Sequence, residues 1–335
     1  MSVGASAGDR GSDRAEDTLG ELGESAVLAR IFPRLPQSSV TLVGPGDDAA
    51  VLAASDGRFV VTTDMMIHGP DFRLAWSTAH DLGWKAAASN LADVAAMGAM
   101  PTALVVALAA PAGTAISFLE DFADGLRDGC AAMAPGCGVV GGDLSVSATL
   151  TIAVTAFGDL QGREPVLRSG AHVGDVVAVS GPLGLAAEGI RLLFERAVVD
   201  GRPTADAVAT LRAAHPAIAG QLAPTPPIAD GALAALAGAT AMIDLSDGLA
   251  LDARRVADAS GVAVDLSLDR VGSEDALRGG EDHSLLGTFP VADALPGGFR
   301  EIGRVVAGNG LLVDGVPYTP RGGWDPYDGW DGELG

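Results

Sequence analysis

The sequence predicts a mixed fold of the α/β (α+β) class, divided into two domains. Three observations lead there. Short runs rich in Val, Ala and Thr alternate with longer segments whose apolar residues recur at helical spacing. The alternation occurs in both halves of the chain. Between the halves, Gln161 to Asp175 ("QGREPVLRSGAHVGD") is polar, turn-rich and basic by local standards, which marks a boundary. The 335 residues suffice for two domains of ordinary size. The expected division is a polar tail over 1–19, a first domain over 20–160 and a second α/β domain over 161–335.

Each element follows in order. Glu21 to Leu35 places Leu22, Val27, Leu28 and Ile31 on one helical face. A Gly-Pro-Gly turn leads to Asp47 and Asp48. Arg58 to Thr63 reads as a strand ending on Asp64. Ser77 is placed to cap a long helix, Thr78 to Met97, closed by Gly98 and Pro101. The apolar window Ala99 to Ile116 is broken by Pro101 and Pro111. It reads as a buried strand, Ala103 to Ala109, between turns and not as a membrane span. A second helix covers 115–134. "CGVVGGDLS" is a short strand ending in Gly141-Gly142-Asp143, and "ATLTIAVTAFGDL" is the next strand. Beyond the boundary come the strand "VVAVSG", a Gly-rich turn, a helix over 185–196 and a Pro/Ala-rich stretch to Asp230. The motif "MIDLSDGLALD" follows, then a helix to Ala259 with Gly261 at its left-handed cap. "VAVDLSL" and a strand near Arg304 to Val306 complete the regular structure before an aromatic tail, "GGWDPYDGW".

Composition narrows the function. Lysine and arginine total 21 against 43 acids, a net charge of −22, which opposes binding to nucleic acid or an anionic membrane. The two cysteines, Cys130 and Cys137, form no Cys-x-x-Cys and read as free buried thiols. The N-terminus lacks the apolar centre of a signal peptide, so a cytoplasmic location is expected. Lys85 is the sole lysine, and Trp84 precedes it where a phosphate-binding loop would need glycine.

The chemistry resides in aspartates set beside glycine or a small hydroxyl residue: Asp47 and Asp48, Asp64, Asp143, Asp244 and Asp247. A strand's exit aims a carboxylate, and glycine lets backbone or ligand come close. Asp93 lies within the long helix and shares a face with Ser89, Asn90 and Lys85. Converging carboxylates repel one another unless cations neutralise them, and all-oxygen donors suit magnesium.

The segments "GPGDDAAVL", "VVTTDMM", "KAAASNLADVAAMGAMP", "VVGGDLS", "LRSGAHVGD", "MIDLSDGLALD" and "GGEDHSLL" occur in the order seen in the thiamine-monophosphate kinase family. That family belongs to the aminoimidazole ribonucleotide synthetase-like superfamily. The resemblance runs from about Gly20 to Trp330. It implies two α/β domains, the first pairing its sheet across a homodimer, and transfer of the ATP γ-phosphoryl group to thiamine phosphate with several Mg2+ ions. It further implies that Asp48, Asp64, Asp93 and Asp143 are metal ligands, with Thr62 and Thr63 adding oxygens. Asp244 and Asp247 resemble the second domain's metal ligands, and Ser246 a nucleotide contact. Gly142, Asp143 and Arg168 resemble contacts to ATP phosphates. Glu281 and Trp324 resemble residues that hold thiamine phosphate. Asp48, Asp93, Asp143 and Asp247 are thus the expected catalytic acids, while Asp252 reads as a solvated helix acid.

Three departures from the family pattern stand out. Asp71 occupies the substrate-side loop where histidine is common, Leu144 follows Asp143 in place of threonine, and Ala223 and Pro227 replace arginines. They would suit a non-catalytic nucleotide- or magnesium-binding regulator. Another ATP-using enzyme of the superfamily is the remaining alternative, against which the scarcity of lysine and the pairing of "IDLSDGL" with "GGED" both count.

Overall fold

The structure, a computed structural model, describes residues 17–22, 24–44, 50–291 and 294–320. Two sheets organise it. The first contains β1 (Val60–Ile67), β2 (Met100–Ala110), β3 (Gly138–Val146) and β4 (Thr151–Asp159) in the order β1-β4-β2-β3. β2 and β3 run parallel; the other neighbours are antiparallel. Helix α1 (Ala79–Ala96) lies across one face, and α2 (Ile116–Met133) packs alongside it. The strand period of two divides β1 between two environments. Thr62, Asp64 and Met66 face α1, whereas Val61, Thr63 and Met65 face outward.

The second sheet contains β5 (Val176–Ser180), β6 (Ala241–Leu245), β7 (Ala263–Leu266), β8 (Ser284–Phe289), β9 (Arg300–Val306), β10 (Gly310–Val313) and β11 (Val316–Pro317). Its order is β6-β8-β5-β9-β7-β10-β11, with only the β7–β10 pair parallel. Helices α3 (Leu185–Arg196), α4 (Val208–Ala214), α5 (Pro216–Leu222) and α6 (Ile228–Leu236) lie between β5 and β6 in sequence, and α7 (Leu249–Ser260) follows β6.

The stretch expected to bound the domains falls between β4 and β5. The apolar core nevertheless continues across it. Leu91 and Ala95 of α1 share one cluster with Ile228 and Ala234 of α6 and with Met242, Leu285 and Phe289 of the second sheet. Close helix approach makes this possible: a β-carbon on Gly231 of α6 would lie 2.1 Å from the Ala95 carbonyl oxygen of α1.

Local readings are corrected in three places. The cap of α1 is Thr78, not Ser77: Thr78 Oγ1 accepts from the Asp81 N–H, and the Asp81 carboxylate accepts from the Thr78 N–H. β1 runs on past Asp64, and β3 past Asp143. An acidic side chain interrupts no backbone hydrogen bond, so these aspartates are aimed by mid-strand alternation and not by a strand's exit. Both cysteines are free and buried, as the sequence suggests.

Candidate active site

Four of the expected acids gather where the two sheets meet. Thr62, Asp93, Arg168, Met242 and Asp244 line a cleft of about 240 Å³. Thr62 Oγ1 donates to Asp93 Oδ2 at 2.8 Å, and the Asp64 N–H donates to Asn90 Oδ1 at 3.2 Å. Burial pushes the Asp93 carboxyl up to about 7, and repulsion from Asp244 and Asp64 adds to it. Burial likewise raises Asp64, with Asp244 and Asp247 contributing in the same direction. Arg168 reaches this cleft because the chain before it pairs with β6: the Met242 N–H donates to the Leu167 carbonyl at 3.0 Å.

The turn Ser246-Asp247-Gly248 links β6 to α7 and interlocks with the Gly279-Gly280-Glu281-Asp282 loop. Glu281 N–H donates to the Ser246 carbonyl at 2.8 Å, and His283 N–H to the Leu245 carbonyl at 3.1 Å. Both loops need glycine at the crossing. A β-carbon on Gly248 (φ 118°) would lie 2.6 Å from the Arg278 oxygen, and one on Gly280 2.6 Å from the Ser246 oxygen. Asp252 is fully buried, which corrects the expectation of a solvated acid. Its Oδ2 accepts from Asp247 N–H at 3.3 Å and Gly248 N–H at 3.1 Å, closing the start of α7, and Arg255 Nη1 donates to its Oδ1 at 2.6 Å. Burial raises Asp252 to about 7, Asp244 adding and Arg255 opposing. Arg255 also pairs with Asp247 at 2.7 Å.

Glu281, Asp282 and His283 send three side chains to three elements. Asp282 accepts from Gly184 N–H at 2.5 Å and Ala186 N–H at 2.7 Å, fixing the start of α3. His283 turns towards Asp244. Glu281 accepts from Lys85 Nζ at 2.9 Å and Gln221 Nε2 at 2.6 Å. Burial acts to raise Glu281, but Lys85 and Gln221 outweigh it and hold the carboxyl below its ordinary range. Glu281 and Lys85 line a second pocket, of about 360 Å³, with Asp71, Arg73, Trp76 and Phe194. Asp71 Oδ2 accepts from the Ile67 N–H at 2.7 Å; burial raises its carboxyl and that N–H opposes the shift. The pocket therefore holds a cationic and an anionic group at its floor and aromatic rings on its walls.

The remaining expected residues are placed as follows. Thr63 faces the opposite side of β1 from Thr62 and Asp64, and its hydroxyl donates to the Val154 carbonyl at 3.0 Å. Gly142 and Asp143 lie on β3, at the far edge of the first sheet. Asp143 registers with Ala107, Ala153 and Met65, three strand spacings or about 14 Å across. They line a largely apolar cavity of about 570 Å³ together with Gly44 and Ala50, which flank the Asp47–Asp48 segment. Asp48 and Trp324 lie outside the described residues. Sequence reasoning did not find the Lys85–Glu281 pair; the one signal in the sequence was a sole lysine on the helix face that carries Asp93, and the structure buries it, 4% exposed. Among the described residues, no three carboxylate, imidazole or thiol groups close on one point tightly enough to hold an ion unaided.

The fold and the cleft define the class first. Residues 46–160 match the family described as "AIR synthase related protein, N-terminal domain". The chain is 44% identical to the thiamine-monophosphate kinase of Mycobacterium tuberculosis, covering 95% of this chain and 96% of that one. It is 39% identical to the Corynebacterium glutamicum enzyme, covering 86% and 87%. Among solved structures it is similar to thiamine-monophosphate kinase from Stenotrophomonas maltophilia K279a (TM-score 0.71, 33% identity, 87% of this chain and 95% of that one). It is also similar to AaThiL complexed with AMPPCP and TMP (TM-score 0.67, 31% identity, 92% and 98%). The chain belongs to the thiamine-monophosphate kinase family.

Proposed function

We propose that the protein transfers the γ-phosphoryl group of ATP to thiamine phosphate, giving thiamine diphosphate and ADP. The observation that carries this reading is the adjacency of two unlike sites. A cleft of repelling carboxylates with Arg168 at its rim lies beside a pocket with aromatic walls and a Lys85–Glu281 floor. The first suits a polyphosphate brought with cations; the second suits a flat, cationic acceptor. AaThiL, 31% identical, is complexed with AMPPCP and TMP.

The residues fit Mg2+. The donors are hard oxygens, and the burial that raises Asp64 and Asp93 is the energetic cost a cation would offset. Magnesium is commonly held by one or two carboxylates plus substrate phosphates, so a closed protein cage is not required. Asp64, Asp93, Asp244 and Asp247 would hold it, and when bound it supplies neutralisation of phosphate charge. The acceptor phosphate is already a nucleophile, so no side-chain base is needed, and the chain's task is alignment of acceptor and donor oxygens in line. Arg168 adds a fork of donors to the nucleotide phosphates. Glu281 and Asp71 face the acceptor's positive ring charge.

The same reading includes a homodimer and a cytoplasmic location. The outward face of the first sheet exposes Val61 and Met65, 55% and 59% exposed. Pairing this face with a second copy would cover these two apolar side chains. Among the described residues no helix is long and apolar enough to cross a membrane, which is compatible with that location. The test is an ADP-release assay with ATP and Mg2+, offering thiamine phosphate, thiamine and aminoimidazole precursors in turn. ADP formed only with thiamine phosphate supports the reading, and ADP formed with another acceptor or with none overturns it.

A further inference from the structure

His283 has no role in the reading above, yet it lies between the two sites. The residue is 6% exposed, and Nδ1 has no hydrogen-bond partner among the described residues. Asp244 Oδ2 lies 3.5 Å from it, within ion-pair range and beyond a good hydrogen bond. A buried ring nitrogen left without a partner is costly, so its retention calls for an explanation.

The backbone shows that the placement is enforced. His283 adopts φ 51° and Glu281 φ 66°, a region that non-glycine residues seldom enter. The hydrogen bonds from their N–H groups to Leu245 and Ser246, and the grip of Asp282 on the start of α3, hold the tripeptide in this shape. The result is that Glu281 enters the acceptor pocket while His283 turns into the carboxylate cleft.

We propose that His283 is a positioning residue: its Nδ1 fixes the rotamer of Asp244, so that one carboxylate oxygen is held by the imidazole and the other is presented to the cleft. The 3.5 Å separation lies within ion-pair range, and contacts of this kind are often long in an unliganded site. Partners of this kind, one step behind a metal ligand, typically change metal affinity or activity by about 10–100-fold when removed. The proposal rests on the assignment of Asp244 to the cation site.

The experiment is a titration of Mn2+, followed by electron paramagnetic resonance, into the full chain saturated with a non-hydrolysable ATP analogue. His283→Leu, which removes the nitrogen, is expected to weaken Mn2+ binding about tenfold or more. His283→Asn places an amide N–H near the Nδ1 position and is expected to recover most of that loss. His283→Gln, which reaches the Nε2 position instead, is not. In turnover assays the half-saturating Mg2+ concentration should follow the same order, with KM for thiamine phosphate unchanged. Overlapping Mn2+ curves for wild type and His283→Leu overturn the proposal. So does equal loss in His283→Asn and His283→Gln, a comparison that stands even where His283→Leu does not fold. Wild-type protein that binds Mn2+ with nucleotide but releases no ADP overturns the kinase reading alone.

Discussion

Lys85 Nζ lies 2.9 Å from Glu281 Oε2, and this single contact joins the helix beneath the first sheet to the loop that leads into the second. It sets the floor of the acceptor pocket, with Gln221 as the third member. Lys85→Met leaves Glu281 without its cation. The expected loss is about 2–4 kcal/mol, towards the lower part of the usual range because about a third of the Glu281 side chain is exposed. The double variant Lys85→Met/Glu281→Leu should regain most of it. Urea denaturation of wild type, single and double variants checks this; a double variant as unstable as the single would show the two groups to be uncoupled.

Asp93 provides a pH signature. Its carboxyl is raised to about 7 in the folded chain, chiefly by burial, against an ordinary value near 3.8. The native state therefore binds a proton that the unfolded state has released, and stability falls as pH rises between these values. Metal-free Asp93→Asn, which cannot ionise, should match or exceed wild type in Tm at pH 8 and lose that advantage at pH 5. Mg2+ should raise the wild-type Tm more at pH 8 than at pH 5. Thermal scans at the two pH values decide the matter, and a wild-type Tm that is insensitive to Mg2+ at pH 8 would count against a cation site.

Asp244→Asn and Asp247→Asn should each lower kcat by about 100-fold or more, since a metal contact in phosphoryl transfer is worth several kcal/mol. In metal-free protein Asp244→Asn should not lower the unfolding midpoint, because it removes a charge that repels Asp64 and Asp93; Asp247→Asn gives up the half-exposed ion pair with Arg255 and should cost at most about 1 kcal/mol. Turnover within about threefold of wild type in either variant would remove that residue from the set.

Gly280→Ala tests the interlock of the two loops. The added methyl would lie 2.6 Å from the Ser246 oxygen, so the turn carrying Asp247 must shift. Stability should fall by about 1–3 kcal/mol, and activity should fall further than stability alone explains. Activity at full wild-type level in folded protein would mean that the turn's position is not critical.

Met65→Asp addresses the exposed sheet face. The substitution places a charge at the centre of the proposed pairing surface without touching the α1 side of β1. Sedimentation should show dimer for wild type and monomer for the variant. A monomeric wild type would leave Asp143 about 14 Å of sheet away from the cleft and exclude it from the site.

The sequence made the α/β alternation, the extent of α3 and the left-handed cap at Gly261 legible; of the acids that the family resemblance puts in one cage, Asp64, Asp93, Asp244 and Asp247 lie together, Asp143 lies three strands away and Asp48 is outside the described residues. Those features depend on local periodicity or on residue types whose chemistry has few alternatives. Strand ends were less legible, because Asp64 and Asp143 sit inside ladders whose hydrogen bonds do not depend on the side chain. The separation of Thr63 from Thr62 follows from strand alternation and could have been read from spacing alone. Asp252 was misjudged because an acid in the first turn of a helix is usually solvated. Here it folds back onto the two N–H groups preceding that turn. Pairings such as Lys85 with Glu281, 196 positions apart, arise only once the two sheets are set against each other.

The continuity of the apolar interior from α1 to the second sheet bears on how such a chain can be recombined. A hybrid that takes residues up to the stretch before β5 from one relative and the remainder from another inherits two halves of a single packing problem. The backbone at position 95 must still meet a glycine at 231, and Met242, Leu285 and Phe289 must still share one core with Leu91. Exchange at this seam is therefore constrained by helix contact as much as by the acids, and successful chimaeras should be those that transplant α1 and α6 together.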